Sequence, residues 1–465
     1  MASAAVVTSV NINTSSATRK LLTHSISTHF PPSLHVFNIT NTRPKKIFPF
    51  LIHCSTTPDI DSNNATNKNP IIENGSNSIT PEITTTLSSD KKASFSSSIG
   101  LVLDLGLKGT WDSNEIGSPV VKRFISDDEE RWYMWYYGNS LNGGFDLIGL
   151  AVSSNGIHWE KGSGPVRSNA DVGLVMNCSK DWWAFDTEGI RPSEVVIMSS
   201  SKVRASSAVY WLYYTGFNSE KVEFSVASKV PVQNPERVLD DKDQPLNICR
   251  SLPGLAISQD GRHWARIEGE HHSGALFDVG AETEWDSLFI AEPHVVFHSS
   301  GDLRMYYHSF DAKCGQFAVG LARSRDGIKW VKLGKIIGGG STSSFDELGV
   351  MNAHVIKNQK DGEYVMAYEG IAADGSRSIG LAVSRDGLKE WRKCGDGAVL
   401  KPSVEEDGWD NKYVGSPCLV EMDGKDNDWR LYYRGIGKEG KTGIGLAVSE
   451  GAEIKSFRKW TGFHL

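Results

Sequence analysis

Val319-Gly-Leu-Ala-Arg-Ser-Arg-Asp-Gly-Ile-Lys-Trp330 is the stretch on which the fold turns. An apolar run enters Ser-x-Asp-Gly, and a Trp follows three residues after the Gly. Asp-Gly between alternating flanks marks a tight hairpin. The same unit recurs at 148–159 with Asn155-Gly156, at 253–264 with Asp260-Gly261 and, one residue longer, at 379–391 with Asp386-Gly387. A fifth apolar run, Ile444-Gly-Leu-Ala-Val448, leads to a degenerate end at Phe457 and Trp460.

Before each run stands an aromatic segment such as Trp132-Tyr-Met-Trp-Tyr-Tyr-Gly138, repeated at 210–216, 303–309, 364–370 and 429–435. Earlier still come Trp111-Asp112, Phe185-Asp186, Trp285-Asp286, Phe345-Asp346 and Trp409-Asp410. Six or seven residues beyond each Asp, Pro119, Pro192, Pro293, Ala353 or Pro417 opens another apolar run. The Asp residues are 74, 100, 60 and 64 apart, and a polar insertion near 219–252 accounts for the 100. Each unit therefore reads as four strands. Five in tandem predict an all-β fold, a five-bladed β-propeller with four-stranded antiparallel blades near 110–165, 183–270, 284–337, 344–400 and 408–460. Ring closure removes exposed sheet edges. Fourteen Trp and 46 Gly fit this reading, the Trp packing between blades and the Gly serving tight turns.

The chain has 465 residues, 39% hydrophobic and 23% charged, which excludes a wholly disordered or fibrous protein. No apolar run reaches 18 residues, so no membrane span is expected. Residues 1–58 hold no Asp or Glu, five Lys or Arg and 17 Ser or Thr, the composition of an organellar transit peptide. Ile52-His53-Cys54-Ser55 resembles a chloroplast cleavage context. The expectation is a chloroplast transit peptide at 1–54, a disordered linker at 55–97, the propeller at 98–465 and a stromal location; a mitochondrial address and a merely disordered tail are the alternatives. Without residues 1–58 the net charge moves from -7 to -7 - 5 = -12. That balance, with no basic stripe, argues against a nucleic-acid partner. Cys54, Cys178, Cys249, Cys314, Cys394 and Cys418 form no CxxC pair, and an organelle interior favours thiols.

Over residues 100–460 these hairpins and their fivefold repetition make the chain resemble the superfamily of arabinanases, β-xylosidases, invertases and levansucrases. The resemblance implies a funnel at one end of the central channel, lined by carboxylates from different blades, and no cofactor. Glycoside hydrolysis needs two carboxyl groups across the scissile bond. The superfamily places an Asp before the first-blade Pro; here Ser118 stands there. Its third-blade proton donor is matched by Glu292 in Ala291-Glu292-Pro293-His294. Its second-blade Asp is not matched, because Arg191 precedes Pro192 and Glu194 follows. Some relatives hold Ca²⁺ or a similar ion through a channel His, which makes His354 a candidate, although no metal-ligand spacing is legible.

The repeats also align the chain against itself. The five Asp residues are alike in every unit and read as structural; Asp112 and Asp286 are the two that would serve if any does chemistry. Ser118, Arg191, Glu292, Asn352 and Ser416 differ from unit to unit, as do Tyr137, Thr215, His308, Glu369 and Arg434. The expected site takes Glu292, Glu369 and Asp112 as catalytic candidates. Ser118, Arg191, His294, His308, Asn352, His354 and Arg434 are its ligand-binding candidates. Such a mixed-charge pocket suits a saccharide or another hydroxyl-rich or anionic small molecule. The competing reading has the same residues paired into salt bridges that plug the channel. Trp132, Trp135 and Tyr136 alternate as inter-blade core rather than as sugar platforms. Gly338-Gly339-Gly340 lacks the Lys of a phosphate loop and reads as a connector. Two functions stand open: a glycosidase-like enzyme whose catalytic carboxylates are incomplete by superfamily standards, and a non-hydrolytic propeller for binding, assembly with a protein partner or another plastid reaction.

Overall fold

The computed structural model describes residues 98–462 except 126–128, 141–143, 199–208, 225–245, 359, 396, 423–428, 451–453 and 455. The expected transit peptide and linker lie outside the described residues. Those described are strands, turns and bends, with no helix. Their five cysteines are all free thiols.

Five antiparallel meanders follow one another. The first comprises Glu115–Ile125, Glu130–Asn139, Leu147–Ser153 and Glu160–Lys161. The second is Gly189–Ile197, Tyr210–Phe224, Leu246–Ser258 and Ala265–Ile267. The third is Ala291–Ser299, Asp302–Asp311, Gln316–Ser324 and Trp330–Ile337, and the fourth Gly349–Lys357, Tyr364–Ile371, Arg377–Ser384 and Arg392–Lys393. The fifth is Tyr413–Glu421, Trp429–Ile436, Thr442–Ser449 and Phe457–Lys459, and the early strand Leu101–Leu103 pairs with its third strand. Single parallel bridges, Phe317 with Gly349 and Arg377 with Tyr413, join the last three meanders into one sheet. Among the described residues no sheet closes on itself through hydrogen bonds. The first strands touch in cyclic order, first to second and onward, with the fifth returning to the first.

The repeated residues form one internal assembly per meander. Asp112, Asp186, Asp286, Asp346 and Asp410 accept from the hydroxyls of Tyr136, Tyr214, Tyr307, Tyr368 and Tyr433 at 2.9–3.1 Å. Each also meets an outer-strand cation: Lys161, Arg266, Lys332, Lys393 or Lys459. The aromatic residue before each Asp packs on the same Tyr, as Trp285 does on Tyr307 at 5.5 Å between ring centres. Each Asp thus ties the chain entering a meander to its second and fourth strands. The ring of Trp285 also explains the Gly of the Gly-Leu-Ala run, because a Cβ on Gly320 would overlap it. Gly320→Ala is expected to cost about 1–3 kcal/mol through overpacking, read as a lower urea midpoint.

The Ser-x-Asx-Gly turns act between meanders. Ser324 Oγ accepts from the Gly327 amide at 2.8 Å, Asp326 Oδ1 accepts from Ile328 and Lys329, and Gly327 takes φ 79°, which glycine tolerates. The freed Gly carbonyls accept from the preceding meander: Gly261 from Trp135, Gly327 from Tyr213, Gly387 from Tyr306 and Gly156 from Tyr432. Trp159, Trp264, Trp330 and Trp391 then pack edge-on against Tyr432, Trp135, Tyr213 and Tyr306 of the neighbouring meander. Trp132, Trp135 and Tyr136 are fully buried core.

Candidate active site at the ring of first strands

Every first strand carries a register break, at its Pro or Ala in four meanders and at Ser193, just after Pro192, in the second. Ser118, Glu292, Asn352 and Ser416 occupy these breaks with φ of 44°, 49°, 49° and 43°, a left-handed conformation that non-glycine residues rarely adopt. Strain of this kind costs on the order of 1–3 kcal/mol per residue and collects at functional sites. The four line one cavity with Pro192 and Ser193.

The second meander corrects the sequence alignment by one residue. Arg191 pairs with Thr215, just as Gly117 pairs with Tyr137 and Ala291 with His308. Pro192, not Arg191, therefore occupies the ring position. Glu194, set aside in the sequence alignment, falls level with Val120, His294, His354 and Cys418, one layer below the ring.

Around the ring, Ser118 Oγ donates to Glu292 Oε1 at 3.0 Å, joining the first and third meanders. The Glu292 amide donates to Thr215 Oγ1 at 2.8 Å. Glu369 is held from three sides: Arg377 Nη1 at 2.9 Å, Asn352 Nδ2 at 2.8 Å and the Ser416 amide at 2.9 Å. His308 Nδ1 accepts from the Asn352 amide at 3.3 Å, which leaves the ring proton of a neutral imidazole on Nε2. Arg191 pairs with Asp146 at 2.7 Å and lies over the Tyr137 ring at 4.3 Å. Arg434 pairs with Glu115, which also accepts from Tyr137 Oη at 2.7 Å. Glu369, Asp146 and Glu115 are buried and each meets a guanidinium, whereas Glu292 is half-buried and lines the cavity.

Asp112, the third catalytic candidate, belongs to the Asp–Tyr–cation assembly of its meander, like its four equivalents, and does not line the cavity. Sequence reasoning passed over Glu115, Asp146 and Arg377. Their signal was available: Asp146 and Arg377 open third strands where the other units carry Ser251, Phe317 and Thr442. Glu115 stands where two others carry Gly189 and Gly349. The cavity itself is small, about 20 Å³, the size of one water site. It is too small to admit a sugar ring.

Below the ring, His294 Nδ1 lies 2.9 Å from Glu194 Oε2 and His354 Nε2 lies 3.8 Å from it, and Lys122 pairs with Glu194 Oε1. Burial opposes ionisation of Glu194, but Lys122 and His294 outweigh it and lower its pKa to about 2. Burial, reinforced by His294, holds His354 well below the usual imidazole value. Burial pushes the neighbouring Cys418 thiol up to about 12. Both depressed groups make the fold acid-sensitive. Between their folded and unfolded pKa values the unfolded chain binds more protons, so stability falls as pH falls. His354 starts that loss near pH 6.5, and Glu194 extends it from about 4.5 toward 2. Unfolding free energy measured against pH is expected to decline from about 6.5 downward, with His354→Gln removing the upper part; a curve flat to pH 5 would contradict this.

No family model matches the chain. An uncharacterized protein of Mycobacterium tuberculosis is 29% identical over 272 residues, covering 57% of this chain and 73% of its own length. A solved glycoside hydrolase superposes over 80% of this chain and 99% of its own, with TM-score 0.50 and 14% identity. The chain shares the fold of a glycoside hydrolase. A solved BT0996 complex superposes over 81% of this chain and 99% of its own, with TM-score 0.51 and 15% identity. At these identities the likeness is one of fold. No helix of the described residues is long and apolar enough to cross a membrane.

Proposed function

We propose that the five meanders are the blades of a five-bladed propeller and that the protein acts on a saccharide at the rim of its first-strand ring, with Glu292 as proton donor. The cyclic contacts of the first strands and the turn-to-neighbour hydrogen bonds support the ring. One observation carries the site: Glu292 is the half-buried carboxylate facing the cavity, while Glu115, Asp146 and Glu369 are buried against arginines. A group that must give up a proton needs access to substrate, and Glu292 has it. The buried carboxylates suit the opposite role. Glu369, fixed by three donors, is our choice to stabilise positive charge at the anomeric carbon as the glycosidic bond lengthens. Ser118 replaces the usual Asp and orients Glu292 through its hydroxyl.

The glycoside hydrolase that shares the fold supports a carbohydrate ligand. A non-hydrolytic binding role is the second reading, favoured by the narrow cavity and by Ser118. We propose a plastid location on the strength of the acid-free, Ser/Thr-rich leader. Incubation of the 98–465 chain with a panel of aryl glycosides and plant oligosaccharides, followed by product chromatography and calorimetric titration, separates the readings. Released sugar supports the enzyme, heat of binding without turnover supports the binding protein, and neither would overturn the saccharide assignment.

A further inference from the structure

Twelve of the fourteen Trp stand at repeated places in the five units, before the Asp, on a second strand or after the turn, and all twelve are buried or half-buried. Trp182 and Trp183 are the exceptions, 91% and 42% exposed. They stand four and three residues before Asp186, where the other units carry Lys108-Gly109, Glu282-Thr283, Thr342-Ser343 and Glu406-Asp407. The blade therefore does not require indoles there, and only the second unit has them. Their loop is fixed by its own hydrogen bonds. The Ser179 amide donates to the Asp186 carbonyl at 3.0 Å, the Asp181 amide to Ser179 Oγ at 3.3 Å and the Ala184 amide to the Asp181 carbonyl at 2.9 Å, while Ala184 and Phe185 are buried.

This loop leads into Gly189–Ile197, whose Pro192 and Ser193 line the cavity. Second strands run against first strands, so loops that precede a first strand and loops that join a second to a third strand share the ring's end of the meanders. Phe145, 46% exposed, lies on such a joining loop in the first meander. Next to it, Asp146 bridges Gly189, and its carbonyl accepts from Cys178 Sγ at 3.8 Å, which sets Phe145 beside the base of the Trp loop. Contacts continue from there to Glu292. Asp146 pairs with Arg191 at 2.7 Å, Arg191 lies opposite Thr215, and Thr215 Oγ1 accepts from the Glu292 amide at 2.8 Å.

We propose that Trp182, Trp183 and Phe145 are a platform for the outlying sugar residues of a saccharide chain, an inference that rests on the saccharide reading above. The cavity admits no sugar ring, so a saccharide must find its binding area outside it. An indole face matches the C–H face of a pyranose, and its N–H together with exposed Lys180 and Asp181 serves the hydroxyls. A protein partner fits less well, because the three rings expose roughly 350 Å², against about 800 Å² per partner in a stable complex.

The test titrates the full chain, Trp182→Ala and the double variant Trp182→Ala with Trp183→Ala against arabino-, xylo-, manno- and fructo-oligosaccharides by calorimetry. Trp182→Ala is expected to weaken the bound oligosaccharide about tenfold, the scale of removing one buried indole face, and the double variant to weaken it further. The parent's Trp emission is expected to shift to shorter wavelength on binding, and less so in Trp182→Ala. Trp182 is exposed, so its variant should keep the parent's Tm. Unchanged affinity in the double variant overturns the platform and leaves the saccharide reading standing. A parent that binds none of the oligosaccharides overturns both. A parent dimer that Trp182→Ala dissociates, with oligosaccharide affinity intact, overturns the platform by assigning the patch to a second copy of the chain.

Discussion

Glu292→Gln is expected to reduce turnover of any glycoside the protein cleaves by about 10²–10⁴-fold, the range for removing a positioned general acid. The amide keeps the shape of the side chain and can still accept from Ser118 Oγ through its carbonyl oxygen. What it lacks is a proton to give the leaving oxygen. The backbone at φ 49° is unchanged, so the Tm should stay near that of the parent. Substrates with activated leaving groups, which need little protonation, should lose less than unactivated oligosaccharides. The measurement is kcat/KM on one substrate of each kind. Equal loss on both, or none, removes Glu292 from the proton-donor role. Ser118→Ala is expected to show a smaller effect, because it removes an orienting hydroxyl and leaves the acid in place.

Arg377→Ala is expected to destabilise the fold by about 3–5 kcal/mol, the cost of leaving one partner of a buried ion pair uncompensated. The side chains of Arg377 and Glu369 are 7% and 4% exposed, so water cannot replace the guanidinium. Asn352 and the Ser416 amide would remain on the other oxygen, but neither carries charge. Urea unfolding reads the loss directly. The paired variant Arg377→Met with Glu369→Gln should recover much of it, because the stranded charge is gone. Recovery there, without recovery of any saccharide turnover, would separate the structural role of the pair from the catalytic role proposed for Glu369. An Arg377→Ala protein as stable as the parent would show that the pair contributes little.

Much of the architecture was legible because its determinants are local. The Ser324-to-Gly327 turn closes through its own side chains, and the aromatic run around Tyr307 is one that recurs in every unit, so both survive reading one residue at a time. The five Asp residues were read as alike in every unit, and all five, the catalytic candidate Asp112 included, sit in equivalent Asp–Tyr–cation assemblies. Their surroundings, a Tyr hydroxyl and an outer-strand cation, lay beyond that reading because the partners are 21–28 residues away for Tyr and 46–80 for the cation. The site was less legible. Ser118 and Glu292 are 174 residues apart, and only juxtaposed first strands make them neighbours. Arg191 was misplaced by one because strand pairing, not the nearest Pro, sets the level. His294 and His354 line the cavity, as expected of ligand-binding candidates, and also meet Glu194, a partner that the sequence did not indicate.

Composition and spacing alone determined that this chain is a tandem of hairpin-rich β units, since turn chemistry and side-chain alternation are written within a few consecutive residues. Tertiary structure decided which carboxylates are sealed against arginines and which one lines the cavity. It also decided that Lys122 reaches the buried Glu194. Charge pairing depends on distances of a few ångströms between strands that the linear order keeps tens to hundreds of residues apart, and local patterns carry no record of those distances.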